Sequence, residues 1–280
     1  MTNPQGRPAV AALVALKAGE LVKSRLSELP APLRRRLAWT MAVDTLTALT
    51  AVADAVCVVS DEPSLTARLG RAGLARVEVL PERRRAGLNE ALREGAEHLQ
   101  RHGHPAVLAC VGDLPALRPA SVVSVITATA AYERAFLPDA SGVGTTMLHT
   151  SGGPLLPHFQ GRSAAAHHSS GAVAITDAVL GSSLPDARRD VDTEVDLADA
   201  VRLGPGSATA ALVLPGTGRV GTYAVVTVVT RPDPDGRAVT GAGVRVDLPG
   251  SALADGVRRP RPGQRLHAVL DHGRVLSAWL

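Results

Sequence analysis

The chain has 280 residues, 45% of them hydrophobic, which is ample apolar content for one or two cored domains. Aromatic side chains make up only 2%, so the core must be built from Val, Leu, Ile and Ala, and the scarcity of stacking platforms argues against a reader of nucleic acid. The net charge of +4 fits either a polyanionic partner or an Arg-rich surface without specificity, and two cysteines make neither a zinc site nor a disulfide framework.

Residues 9–16 form a continuous apolar run that reads as the first strand of a buried sheet. Directly after it come Lys17 and Lys23, the only lysines among 30 basic residues, with Arg25 and a glycine between strand and helix. A compact ammonium kept at two neighbouring positions in an otherwise Arg-based chain suggests phosphate binding, although a solvated turn explains the spacing equally well. Leu33, Leu37, Met41, Leu46 and Leu49 recur at helical spacing and predict an amphipathic helix packed on the sheet.

A second buried strand, 55–59, ends at Ser60-Asp61, again polar at its carboxyl end. A short helix at 65–69 and a strand at 77–80 follow, and then a helix starting near Asn89 with Leu88, Leu92 and Leu99 on one face. Asn89 either caps that helix or presents its amide to a nucleobase edge. The run Val107 to Val111 stops at Gly112-Asp113-Leu114-Pro115, placing Asp113 at the carboxyl end of a strand, where open α/β sheets put their ligands. A carboxylate there suits a metal, and an ordinary Asp-Pro turn is the plain alternative.

A helix over 120–131 precedes a Gly/Thr-rich turn and a strand reaching Leu148. Further on, Asp192 reads as an acidic strand end, with Thr193 capping a helix whose apolar face includes Leu197 and Val201. Gly204-Pro-Gly-Ser207 marks a domain end and 214–218 a linker, which divides the chain into 1–206 and 217–280. Beyond the linker the pattern is all-β, with strands at 223–230, 244–248, 264–270 and 275–279, as in a small OB or cold-shock barrel. The α/β motifs are complete by Asp192, so a chain ending near Pro215 is expected to fold alone. With no signal-peptide layout and no apolar run of membrane-spanning length, a cytoplasmic protein without a membrane partner is expected.

Lys17 through Leu26, Gly87-Leu-Asn-Glu-Ala-Leu92, Gly112-Asp-Leu-Pro115, Gly144-Thr-Thr146, Phe159 to Ser163 and Asp190-Val-Asp-Thr193 occur in this order. Together they resemble the guanylyltransferases of coenzyme F420 biosynthesis, which act on 2-phospho-L-lactate or phosphoenolpyruvate. The resemblance covers residues 9–204 and implies a three-layer nucleotidyltransferase domain of glycosyltransferase-A-like α/β fold with a mostly parallel sheet. It also implies transfer of GMP from GTP to phosphoenolpyruvate, giving enolpyruvoyl-2-diphospho-5'-guanosine and pyrophosphate. Phosphoenolpyruvate is favoured over 2-phospholactate because, within that family, an Ala/Arg/Val-rich composition goes with it.

By the same resemblance Lys17, Lys23 and Arg25 handle the triphosphate, with Asp113 beside them in catalysis. Gly87, Asn89 and Ser60 hold the nucleotide, Asn89 and its loop taking the guanine, and Thr145, Gln160, Gly161 and Ser163 hold the acceptor. Asp113 and Asp192 bind Mg²⁺. Two departures stand out: Leu16 replaces the Pro that usually precedes the first Lys, and Phe159-Gln160 replaces Phe-Gly, so the acceptor pocket is altered unless Gly161 takes over by a one-residue shift. Rival readings are a nucleotidyltransferase with another base or acceptor, and an RNA-binding protein with a degenerate catalytic domain, against which Lys23, Asp113 and Asp192 speak. The oligomeric state stays open, a homodimer among the options.

Overall fold

The computed structural model describes residues 8–16, 26, 28–82, 87–214, 217, 219–232, 235–254 and 257–280. Apolar runs without alternation demand burial on both faces, and here they form the centre of a sheet. β1 (Ala11–Ala15) lies between β2 (Ala55–Ser60) and β4 (Val107–Cys110) and is parallel to both, Leu13 pairing with Cys57 on one side and Ala109 on the other. β3 (Glu78–Pro81) extends the sheet past β2, and β5 (Arg134–Pro138), β6 (Thr145–Thr150) and β7 (Val173–Ala174) complete the order 3-2-1-4-6-5-7. β6 runs antiparallel to its neighbours β4 and β5, and the other pairs are parallel.

Helices cover both faces, which gives the three layers. α1 (Ala31–Thr50), α2 (Leu65–Arg71) and α4 (Pro119–Thr129) pack on one side, and α3 (Leu88–Arg101) and α5 (Ser163–Ser169) on the other. α3 approaches so closely that a Cβ at Gly95 would lie 2.5 Å from the Leu13 side chain. The short helices α6 (Asp177–Leu180), α7 (Pro185–Arg188) and α9 (Ser207–Ala210), with α8 (Glu194–Leu203), close the α/β unit. Thr193 caps α8 as expected, forming a reciprocal capping box with Asp196.

The carboxy-terminal strands β8 (Thr222–Thr230), β9 (Asp235–Thr240), β10 (Arg245–Pro249), β11 (Arg265–Asp271) and β12 (Arg274–Trp279) form a closed barrel in the order 8-9-10-12-11. Its pairs are antiparallel except β10 with β12, the strand order of an OB barrel. β9 was not foreseen in the sequence, where Pro and Asp of residues 232–235 hide its start.

Three expectations need correction. α1 is not a simple amphipathic helix: Trp39, Val43, Leu46 and Leu49 belong to the sheet-facing core, but Leu33, Leu37 and Met41 belong to a separate cluster that joins Leu197 and Ala200 of α8 and Leu212 to Val269 and Trp279 of the barrel. Gly204 to Ser207 is not a free domain end either. The carboxylate of buried Asp44 accepts from Ala208 N (3.1 Å) and Thr209 N (2.8 Å), and a Cβ at Gly206 would fall 2.3 Å from that carboxylate, so the segment is clamped onto α1. Finally, no strand ends at Asp192; residues 189–193 form a connecting segment outside the sheet, between α7 and α8, with bends at Asp192 and Thr193.

Candidate active site

An open cleft of about 1400 Å³ crosses the carboxyl ends of β1, β2 and β4, the place where strands aim backbone and side-chain polar groups out of the sheet. Asp113 enters it from the turn after β4, a turn braced by Thr45 Oγ1 of α1, which accepts from Leu114 N at 3.0 Å. The segment 189–193 is held alongside by a hydrogen bond, Val191 N–H to Asp113 O at 3.1 Å. Val191 is fully buried, while the flanking Asp190 and Asp192 both line the cleft. Asp139, from the β5–β6 turn, lines it as well.

These carboxylates feel one another. Burial raises the pKa of Asp190 from the usual carboxylate range to about 7, with further contributions from the negative charges of Asp113, Asp192 and Asp139 in that order. Asp190 and Asp139 had no assigned role in the sequence reading. The signal for Asp190 was its spacing of two from Asp192; nothing marked Asp139.

Ser60, Thr145, Gln160, Gly161 and Ser163 also line the cleft. Ser60 is buried and its Oγ accepts from Glu62 N at 3.2 Å, which turns the hydroxyl toward its own loop. Gly87, with φ of 102°, takes the N-cap position of α3, so Asn89 does not cap it. The Asn89 amide instead spans to the loop after β6: its Oδ1 accepts from Phe159 N at 2.7 Å and its Nδ2 donates to Phe159 O at 3.0 Å. Gln160 adopts φ of 93° and Gly161 φ of 60°, so both residues of the turn take the conformation that favours glycine. Lys17, Lys23 and Arg25 lie outside the described residues.

The cleft also has basic and aromatic lining. Arg35 and Arg36 of α1 and Arg68 of α2 line it, with the Arg68 guanidinium 4.1 Å from the Trp39 ring centroid. The barrel adds His267 and Trp279, a contribution not visible before the barrel was seen to dock on α1. A cleft lined by both carboxylates and guanidinium groups suits a ligand that carries both a metal and several phosphates. Thiol chemistry has no part in it, since Cys57 is buried with its pKa pushed up to about 12, and burial raises Cys110 as well.

The profile of the MobA-like NTP transferase domain matches residues 29–178. Proteins named phosphoenolpyruvate guanylyltransferase are similar across the same region: that of Salinispora arenicola is 45% identical over 207 residues, 71% of this chain and 91% of its own. That of Mycolicibacterium smegmatis is 38% identical over 203 residues, 71% of this chain and 88% of its own. The chain belongs to the phosphoenolpyruvate guanylyltransferase family, within the MobA-like NTP transferases. A crystal structure assigned to the nucleotide-diphospho-sugar transferases, from Desulfovibrio desulfuricans G20, shares the fold with a TM-score of 0.53 and 16% identity, covering 72% of this chain and 92% of its own. This guanylyltransferase family member is thus a nucleotidyltransferase, and its barrel lies beyond the residues that the family model matches.

Nucleotidyltransferases of this family use a divalent metal. Carboxylate oxygens such as those of Asp113, Asp190 and Asp192 are the donor type a hard cation takes, although among the described residues no group of three or more His, Cys, Asp or Glu side chains is placed to hold a metal by itself. Mg²⁺ is commonly held by one or two carboxylates together with substrate phosphates. No helix among the described residues is long and apolar enough to cross a membrane.

Proposed function

We propose that this chain transfers GMP from GTP to phosphoenolpyruvate, forming enolpyruvoyl-2-diphospho-5'-guanosine and pyrophosphate in coenzyme F420 biosynthesis. The observation that carries this reading is the convergence of Asp113, Asp190 and Asp192 at the carboxyl end of β4, in a chain 45% identical to a relative named for that reaction. An oxygen of the acceptor phosphate attacks the α-phosphorus, a new P–O bond forms, and the bond to the β-phosphate bridging oxygen breaks with its electron pair leaving on pyrophosphate. No covalent enzyme intermediate is needed, because placing and neutralising two anions is most of the work.

Asp113 and Asp192, with Asp190 beside them, would hold Mg²⁺, which supplies charge neutralisation on the phosphate oxygens. Lys17, Lys23 and Arg25 are assigned to the triphosphate by their place directly after β1. Gly87 and the end of β2 at Ser60 border the nucleotide. Asn89 acts through Phe159, and Thr145, Gln160, Gly161 and Ser163 face the acceptor. GTP and phosphoenolpyruvate are the partners in this reading, and the cytoplasm is its compartment.

The experiment is pyrophosphate release from GTP with Mg²⁺ and phosphoenolpyruvate, 2-phospholactate or 3-phosphoglycerate at matched concentrations. Phosphoenolpyruvate is expected to be preferred. The two family acceptors differ by a planar against a tetrahedral carbon, a shape difference worth about 1–3 kcal/mol in a pocket. A clear preference for 2-phospholactate would move the acceptor assignment and leave guanylyl transfer in place.

A further inference from the structure

His167, on α5, is fully buried, and no role given above uses it. Its ring stands between two pieces of the wall assigned to the acceptor. Nε2 lies 2.8 Å from the backbone nitrogen of His158. A backbone N–H only donates, so Nε2 is the unprotonated nitrogen and the ring proton sits on Nδ1. Nδ1 in turn lies 2.9 Å from Thr145 Oγ1, which therefore accepts from it. The hydroxyl's own proton is left to point away from the imidazole, and Thr145 lines the cleft.

We propose that His167 is a positioning residue for the anionic acceptor, fixing the Thr145 hydroxyl as a donor into the cleft and clamping the turn 158–161 that forms the adjoining wall. The polarity is what matters. A phosphorylated carboxylic acid presents acceptor oxygens only, so it needs donors around it. With the other tautomer the threonine would give its proton to the ring and face the acid with lone pairs. The His158 N–H forbids that tautomer, and thereby selects the useful one.

The turn supports the same role. Its backbone is held from both sides, by His167 at His158 and by Asn89 at both polar groups of Phe159, and directly after these anchors Gln160 and Gly161 take φ of 93° and 60°. A non-glycine residue persists in such a conformation where its surroundings over-determine it. The aromatic edge of Phe159 against the His167 ring, with centroids 5.2 Å apart, completes the clamp.

The proposal rests on the reading that the Thr145 side of the cleft receives the acceptor, and the test separates the two. Steady-state constants are measured for the full chain as wild type, His167→Phe and His167→Gln. Phe fills the ring's space without either nitrogen, and Gln restores one donor and one acceptor. The expected result is a rise of about tenfold or more in KM for phosphoenolpyruvate in His167→Phe, with KM for GTP within about twofold and partial recovery in His167→Gln. If His167→Phe fails to fold, Thr145→Val, which keeps the shape and removes the hydroxyl, should give the same split. An unchanged phosphoenolpyruvate KM, or equal rises for both substrates, overturns the positioning role while wild-type turnover upholds the reaction. A wild type that releases no pyrophosphate with any of the three acids overturns the acceptor reading, and this proposal with it.

Discussion

The Val191 N–H donates to the carbonyl of Asp113 across 3.1 Å, and this bond holds the segment before α8 beside the turn that follows β4. Val191 is buried, and Asp190 and Asp192 on either side of it line the cleft. Asp113→Asn and Asp190→Asn are each expected to abolish Mg²⁺-dependent pyrophosphate release and to remove the thermal stabilisation that Mg²⁺ with GTP gives the wild type. Without metal, Asp190→Asn should melt no lower than wild type, since it removes a buried charge crowded by three others. A variant that keeps full turnover would show that its carboxylate stands outside the reacting centre.

Stability should fall as pH falls from about 6.5 to about 4. Burial holds His149 at about 4, and burial, then the charges of His158 and Arg134, hold His167 at about 4. Both rings are therefore neutral in the folded chain over a range in which the unfolded chain, titrating near 6.5, takes up protons. The two rings make unfolding free energy rise with pH by roughly 2–3 kcal/mol per unit at the steepest, and Asp190, held at about 7, opposes this with roughly half that slope because the folded state keeps its proton where the unfolded state has lost it. Urea melts of wild type and Asp190→Asn at pH 4.5, 5.5 and 7 separate the two contributions. A flat profile in Asp190→Asn would mean that at least one ring is charged in the folded protein.

The parallel strands, the helices between them and the position of Asp113 were legible because each rests on local signals: unbroken apolar runs, helical spacing and a polar residue at a strand end. Thr193 announced its cap for the same reason. What could not be read was long-range. Leu33, Leu37 and Met41 look like the sheet-facing stripe of α1, and nothing local says that they share a core with Leu197 and Ala200 or with Val269 and Trp279 more than 200 residues later. Asn89 has the chemistry for a base and for a cap, and its partner, Phe159, lies 70 residues on. Gln160 in a glycine's conformation is likewise a matter of its anchors, not its own preference.

The barrel and the α/β unit share a core cluster. A chain ending at residue 214 would lose Val269 and Trp279 from the cluster that holds Leu33, Leu37 and Met41, all essentially inaccessible in the full protein. It is expected to be insoluble or to melt well below the full chain, against the independence that the Gly/Pro-rich linker implies. Trp279→Ala should cost about 3–5 kcal/mol in the intact protein, the usual loss for a large buried aromatic. Truncation without loss of stability would show that the two units merely touch.

At Gln160 the backbone conformation can be tested through the side chain. Gln160→Val should destabilise by about 1–2 kcal/mol, because a β-branched residue tolerates positive φ worst, whereas Gln160→Gly should be at least neutral. Equal melting temperatures for the two variants would mean that the turn relaxes to an ordinary conformation in solution.

Guanylyl transfer itself is tested most directly with GTP labelled at the α-phosphate, incubated with Mg²⁺, phosphoenolpyruvate and the full chain, with products separated and weighed by mass spectrometry. The expected result is label in one new species, the mass of phosphoenolpyruvate joined to GMP, with one pyrophosphate per labelled product and neither in Asp113→Asn. Label found only in GTP, GDP or free GMP, with no acid-linked product from any of the three acceptors, would contradict it.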